Sequence, residues 1–166
     1  MQLSNKIDAF KAIMGNYPTG VTIVTTIDAE NNLPVGLTVN SFTSVSISPI
    51  LVLFCVDKGS SSLSSFKNSK KFAVNVLASD QEKECLEFAS KNTDKFKKVN
   101  YKVSERGLPI LESSLGVMEC KLVNELEAGD HFVFIGEVEH INKEAKDPMV
   151  YCKGKVGSLS KVWLGE

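Results

Sequence analysis

Arginine is almost missing from this 166-residue chain: Arg106 stands alone against eighteen lysines. Bidentate guanidinium forks are therefore scarce, so an anion must be held by lysine, backbone N–H groups and hydroxyls. The two histidines, His131 and His140, lack the close, repeated ligand spacing of a metal site, and no metal is expected. The four cysteines lie 30, 35 and 32 residues apart with no CxxC, which argues against zinc and redox pairs. Cys55 and Cys120 fall in apolar strand patterns and read as buried free thiols. Neither GxGxxG nor GxxxxGK[ST] occurs, so a doubly wound dinucleotide fold is not expected. No GxSxG nucleophile elbow is present either. No apolar run approaches the roughly 20 residues of a membrane span. The N-terminus lacks the apolar core of a signal peptide, so the expected location is the cytoplasm. A net charge of −1 leaves no basic footprint for nucleic acid.

What is present is ordinary for a globular protein: 43% hydrophobic and 23% charged residues. The length predicts a single domain over 1–166. Residues 5–14 carry apolar side chains at helical spacing, and Asn16 to Gly20 stops that helix. Val21 to Ile27 and Leu33 to Asn40 form an expected hairpin. Val45 to Ile47 and a buried run from Ile50 to Val56 extend the sheet. A short helix over Ser61 to Asn68 precedes a strand over Lys71 to Leu77. Asp80 is the expected N-cap of a helix reaching Ser90. A short helix and loop fill 92–106, and Gly107 to Pro109 turn the chain. Leu115 to Glu125 and His131 to Asn142 are long strands, and a last strand lies near Met149 to Lys153. Many strands with short connections and few helices predict an antiparallel barrel with capping helices.

One stretch, Gly36 to Ser62, is the richest in chemistry. Thr38, Val39, Asn40 and Ser41 place short polar groups at a strand end, where they match the edge of a flat heterocycle such as isoalloxazine. A half-buried edge strand with a polar face has the same look. Lys58, Gly59, Ser60, Ser61 and Ser62 combine a cation, a permissive glycine and hydroxyls at a helix start, the donors a phosphate monoester needs. On spacing alone a plain loop with a serine cap is the commoner source of this pattern. Gly129, Asp130 and His131 put an imidazole after a tight turn at a strand start, beside either a nucleotide or solvent. His140, in EVEHINKE, reads as a solvated face, as do Glu137 and Glu139.

The order of several short motifs carries a resemblance. They are Pro18-Thr19-Gly20-Val21, Gly36 to Phe42, Ser48-Pro49, Cys55 to Lys58 with the serines, Phe72 to Asn75, Lys95-Phe96, Gly107 to Pro109, Glu119-Cys120, Gly129 to His131 and Gly136 to Val138. From about Phe10 to Gly157 the chain resembles the flavin reductase-like family, NAD(P)H:flavin oxidoreductases with an FMN-binding split barrel. The resemblance implies a six-stranded Greek-key split barrel, a homodimer, and flavin near the subunit interface. It implies FMN, with FAD as the alternative, and NAD(P)H as substrate. Pro18, Thr19, Thr38, Val39, Asn40 and Ser41 would lie by the ring. Cys55, Val56, Asp57 and Lys58 would approach the ring or ribityl chain. Ser60, Ser61 and Ser62 would hold the phosphate, and His131 would position nicotinamide, with no obligatory acid or base. Relatives end the barrel with an aromatic, arginine-rich segment; here Tyr151 to Gly157 has lysines instead.

The function so implied is hydride transfer from NAD(P)H to flavin, which supplies a monooxygenase or a redox protein. The competing reading is a flavoredoxin-type carrier that keeps FMN and uses nicotinamide poorly.

Overall fold

The computed structural model of the chain describes residues 3–165. Helix α1 (Leu3–Gly15) leads into β1 (Thr19–Gly20), β2 (Thr22–Ile27), β3 (Pro34–Val39), β4 (Thr43–Ile47) and β5 (Ile50–Asp57). Then come α2 (Leu63–Ser69), β6 (Lys71–Val76), α3 (Glu82–Ala89) and a 3-10 turn at Lys95–Lys98. A ribbon of β7 (Tyr101–Val103) and β8 (Pro109–Leu111) follows. The long pair β9 (Gly116–Ala128) and β10 (His131–Lys143) precedes β11 (Met149–Cys152), β12 (Lys155–Ser158) and α4 (Lys161–Leu164). Among the described residues no helix is long and apolar enough to cross a membrane.

The main sheet is antiparallel, with seven strands in the order β3-β2-β6-β9-β10-β5-β4. One strand beyond the expected six is present because β4 adds to the outer edge of β5. The β9–β10 hairpin turns at Gly129, whose φ of +61° is left-handed and free of Cβ strain only for glycine. A small sheet, β1-β11-β12, forms beside it, and β12 was not expected from its polar sequence. Lys153 and Gly154 both have positive φ, the geometry of a two-residue hairpin between β11 and β12.

Inside the main sheet, Phe54, Phe66, Phe72 and Phe134 form the centre of the core with Val24, Val52, Val56 and Val74. The Phe54 and Phe134 rings stack at 5.3 Å. A second cluster joins Val21 and Ile23 to Leu77, Cys85, Phe88 and Leu111. The two clusters share β2, whose alternate residues face opposite sides. Buried Asn75 ties the β7–β8 ribbon in place. Its amide donates to the Ile23 carbonyl at 2.9 Å and to Thr25 Oγ1, and its oxygen accepts the Leu111 N–H at 2.9 Å.

Three local expectations change. The run from Ile50 to Val56 is not buried throughout: Val52, Phe54 and Val56 point inward, whereas Ile50 is 44% exposed. Strand side chains alternate faces, and the outer face of β5 is not covered. Cys55 is accordingly half-buried, while Cys120 is buried; all four thiols are free. The cap of α3 is Gln81, not Asp80. The Gln81 amide is buried, accepts the Ala78 N–H and donates to the Glu112 carbonyl, while the Asp80 carboxylate takes Lys146 at 3.4 Å.

Candidate active site

Strand β3 organises the site. Val35, Leu37 and Val39 pack toward the barrel core. Gly36 and Thr38 face α3: Thr38 Oγ1 donates to the Cys85 carbonyl at 2.7 Å, and Gly36 lies against the Phe88 ring. Each end of the strand opens onto a cavity.

At the C-terminal end, a cavity of about 490 Å³ is lined by Thr38, Val39 and Asn40. Its other walls are Glu82, Cys85, Leu86 and Ala89 of α3, and Tyr151, Gly154, Lys155 and Val156 of the β11–β12 hairpin. It is mostly apolar with a few polar groups, the usual make-up of a site for a flat ring. Burial, then the Glu82 carboxylate, pushes the Cys85 thiol above its ordinary pKa. Thr19 pairs with Tyr151 in the small sheet, and its hydroxyl is buried with no protein partner. A bound polar ligand is one way to satisfy such a group.

At the N-terminal end, a cavity of about 260 Å³ brings Ser61, Ser62 and Ser65 together with Lys95, Gly36 and Asp28. Ser65 Oγ donates to Asp28 at 2.6 Å and holds that carboxyl below its ordinary pKa. Lys95 Nζ donates to the Phe88 carbonyl at 2.8 Å and lies 3.5 Å from the Gly36 carbonyl. Burial lowers its pKa, because a cation stripped of water is disfavoured, with Glu87 opposing. Both its hydrogen-bond partners are neutral carbonyls.

The serine loop itself is largely self-satisfied. The amides of Ser60, Ser62 and Leu63 go to the Asp57 carbonyl, Ser60 Oγ and the Ser60 carbonyl. Helix α2 begins with no side-chain cap bond. Hydroxyls and Lys95 face the cavity here, and Ser60, Ser62 and Leu63 are the amides of this loop that are already bonded.

The remaining expected residues are placed elsewhere. Ser41 Oγ accepts the Cys55 N–H at 3.0 Å and so pins the start of the β3–β4 link to β5. Val56 is fully buried in the core. Asp57 Oδ1 accepts the Gly59 N–H at 2.6 Å. Lys58 Nζ reaches Glu127 at 2.5 Å, not the serines. Pro18 is exposed between α1 and β1. His131 Nδ1 meets Asp130 Oδ1 at 2.7 Å, which holds the Asp130 carboxyl low. Ligand-type atoms of Asp57, Asp130 and His131 lie within 4.8 Å of one another on the surface, but each already has a local partner or is open to water. His140 is exposed, and Glu139 pairs with Arg106 at 2.8 Å.

Sequence reasoning did not single out Lys95, Cys85, Glu82 or Lys155 as site residues. Lys95 lies in KNTDKFKK among three other lysines, where nothing in the composition separates the one that folds inward.

Comparison with known proteins decides the family. The flavin reductase like domain matches residues 14–160. The chain belongs to the flavin reductase-like family. A flavin reductase of Pseudomonas putida is 40% identical over 154 residues, covering 92% of this chain and 90% of that protein. The reductase subunit HsaB of a flavin-dependent monooxygenase from Rhodococcus jostii is 39% identical, covering 88% and 74%. The structure of the NADH:FAD oxidoreductase SgcE6 from Streptomyces globisporus, in complex with NAD and FAD fragments, superposes with a TM-score of 0.88 at 34% identity and 96% coverage of both chains. The mainly β split barrel of this flavin reductase-like protein, with few helices, is the fold of that family.

The site's residues fit a flavin. A mostly apolar cavity stands at one end of β3, and hydroxyls with a partly buried lysine stand at the other.

Proposed function

We propose that the protein is an NAD(P)H-dependent flavin reductase that binds flavin along β3 and delivers reduced flavin or electrons to a partner, an oxygenase component or a redox protein. The observation that carries the reading is the pairing on one strand of a ring-sized apolar cavity at Thr38–Asn40 with a desolvated Lys95 beside Ser61 and Ser62. A bound flavin supplies the hydride-accepting ring. The chain's residues bind and orient it: Thr38, Val39 and Asn40 wall the ring, Thr19 offers a hydroxyl, and Lys95 with the serines holds the phosphate. Ser41, Cys55 and Asp57 shape the adjoining loop. His131, fixed by Asp130, orients nicotinamide at the rim. Stacked contact is what this placement must achieve, since the reacting atoms need about 3–3.5 Å and alignment.

The working unit is a single-domain homodimer in the cytoplasm. Exposed Ile7, Phe10 and Ile13 on α1, and Val45 and Ile47 on β4, are apolar surface that a second copy would cover.

The test is anaerobic stopped-flow mixing of flavin-loaded protein with NADH or NADPH, following the visible absorbance of flavin. Rapid bleaching supports the reductase and names its nucleotide. Bound flavin that neither nucleotide bleaches assigns the protein to electron carriage instead. The lysine-bearing Lys153–Lys155 hairpin, without arginine, makes this the alternative to exclude.

A further inference from the structure

Glu119 is only 3% exposed, yet it lines a cavity of about 420 Å³ that is separate from both cavities of β3. The Ser104 hydroxyl donates to Glu119 Oε2 at 2.6 Å. Among the described residues no other donor bonds this carboxylate, and its second oxygen has only the cavity before it. No cation pairs with it either: Arg106, on the same wall, is taken by Glu139 at 2.8 Å. A carboxylate stripped of water and given one neutral hydroxyl is under-compensated, and a buried charge of that kind calls for a cation.

The cavity continues into a second one of about 240 Å³, and Lys102, Ile110, Val117 and Asn142 border both. The two make one groove between the β7–β8 ribbon and the β9–β10 pair. Its floor is apolar, because Ile110 packs against buried Val117 and Leu108. Its far end carries Glu112 and Glu144. The Glu144 N–H donates to the Leu115 carbonyl at 2.8 Å, which sets Glu144 beside a position four residues along the chain from Glu119. At the rise of a strand those positions are about 13 Å apart. Lys102 is the one lining cation not already paired with a carboxylate among the described residues.

We propose that this groove is a second ligand site, separate from the flavin site, and that it takes a linear aliphatic diamine or polyamine. One ammonium donates to Glu119 and to the Asn142 side chain, the methylenes lie on Ile110 and Val117, and a second ammonium meets Glu112 and Glu144. An ammonium has three donors and no acceptor, which suits a wall of carboxylates. An anion is repelled by the same groups. A metal ion fits less well, since among the described residues no two further carboxylate, imidazole or thiol ligands converge on Glu119.

The experiment is calorimetric titration of the intact, flavin-loaded protein at about 0.15 M salt, where loose surface attraction is screened. The probes are octamethylenediamine and the aminooctanol of the same length. One diamine should bind per chain and raise the thermal midpoint, as a ligand of the native state does. Its affinity should exceed that of the aminooctanol by roughly two- to fivefold, the range for one exposed ion pair. Glu119→Gln, which keeps an acceptor for Ser104, should raise the diamine Kd by roughly tenfold or more, as for loss of a hydrogen bond to a charged group. Glu112→Gln combined with Glu144→Gln, both on the surface, should lower the diamine to the affinity of the aminooctanol. That pair of changes decides the matter even where Glu119→Gln fails to fold. Absence of binding, equal affinities for the two probes in wild type, or a diamine Kd indifferent to the surface pair overturns the proposal. An equal loss on Glu30→Gln, in the exposed β2–β3 turn, also overturns it by reducing the binding to general charge attraction. None of these outcomes bears on the flavin reading, which stands on other residues.

Discussion

Gly36 stands so close to Phe88 that a Cβ on it would lie 2.6 Å from the ring Cε1, with Thr25 Cγ2 at 3.2 Å on another side. The glycine is required by this approach and not by its backbone angles. It sets how near α3 sits to β3, and hence the width of both cavities. Gly36→Ala should push the Phe88 ring and α3 outward and cost about 1–3 kcal/mol, as overpacking does. A urea midpoint that falls at constant slope is the expected reading. An unchanged midpoint would show that the ring yields freely.

Lys95 and Lys58 should separate cleanly in binding. Lys95→Met is expected to weaken FMN by about 1.5–3 kcal/mol, the range for hydrogen bonds to charged groups. Riboflavin, which lacks the phosphate, should bind the variant as it binds wild type. Lys58 already pairs with Glu127 on an exposed surface. Lys58→Ala should therefore shift FMN affinity by no more than about 0.5 kcal/mol. A larger effect of Lys58→Ala than of Lys95→Met, in fluorescence titration, reverses the assignment.

His131→Ala should lower kcat/KM for NADH or NADPH by roughly tenfold, about 1.4 kcal/mol, and leave the flavin Kd as it is. Steady-state kinetics beside a flavin titration checks both halves. Retention of the parent kcat/KM would remove the imidazole from nicotinamide positioning.

Burial, followed by Glu139 and Glu119, pushes the Cys120 thiol up to about 12. An unfolded cysteine ionises near about 8.5. Between these values the unfolded chain releases a proton that the native state keeps. Rising pH therefore favours unfolding, and the stability present below about 8.5 declines as pH climbs toward 12. Cys85, raised in the same direction, adds to the slope. Urea midpoints should fall between pH 8 and pH 10, and less steeply for Cys120→Ala. Iodoacetamide should modify native Cys55 and Cys152 before Cys85 and Cys120.

Ile47 is 85% exposed at the sheet edge. Sedimentation equilibrium should give a dimer mass for wild type and a monomer for Ile47→Lys, because a buried ammonium without a partner is costly. A monomeric wild type would return β4 and α1 to solvent.

The sheet was largely legible from sequence because alternation and β-branched runs mark strands directly. The β2–β3 hairpin, β6, β9 and β10 all begin and end within a few residues of their patterns. What the pattern does not carry is which face of a strand finds a cover. Ile47 and Ile50 have the composition of core residues, yet they flank the turn between β4 and β5, and β4 is the edge strand of the sheet among the described residues. Asp80 has the composition of a cap, yet Gln81 takes the position without a side-chain cap bond, because its buried amide is committed to Ala78 and Glu112. The cavity wall at Thr38 to Asn40 was visible, since a polar strand end after an apolar run is a local signal. Lys95 was not, because its placement depends on α3 and β3 meeting some 50 residues apart in sequence.

Asn75 has a kinetic consequence for the β7–β8 ribbon. The Leu111 amide is held by the Asn75 side chain, which is itself held by β2. Tyr101 lies opposite Leu111 across the ribbon. Releasing that amide to solvent exchange therefore requires the buried Asn75 hydrogen bonds to open. The stretch around Tyr101 should exchange with the slow tempo of the barrel interior and not with the fast tempo of a surface loop. The ribbon opens no sooner than the core does.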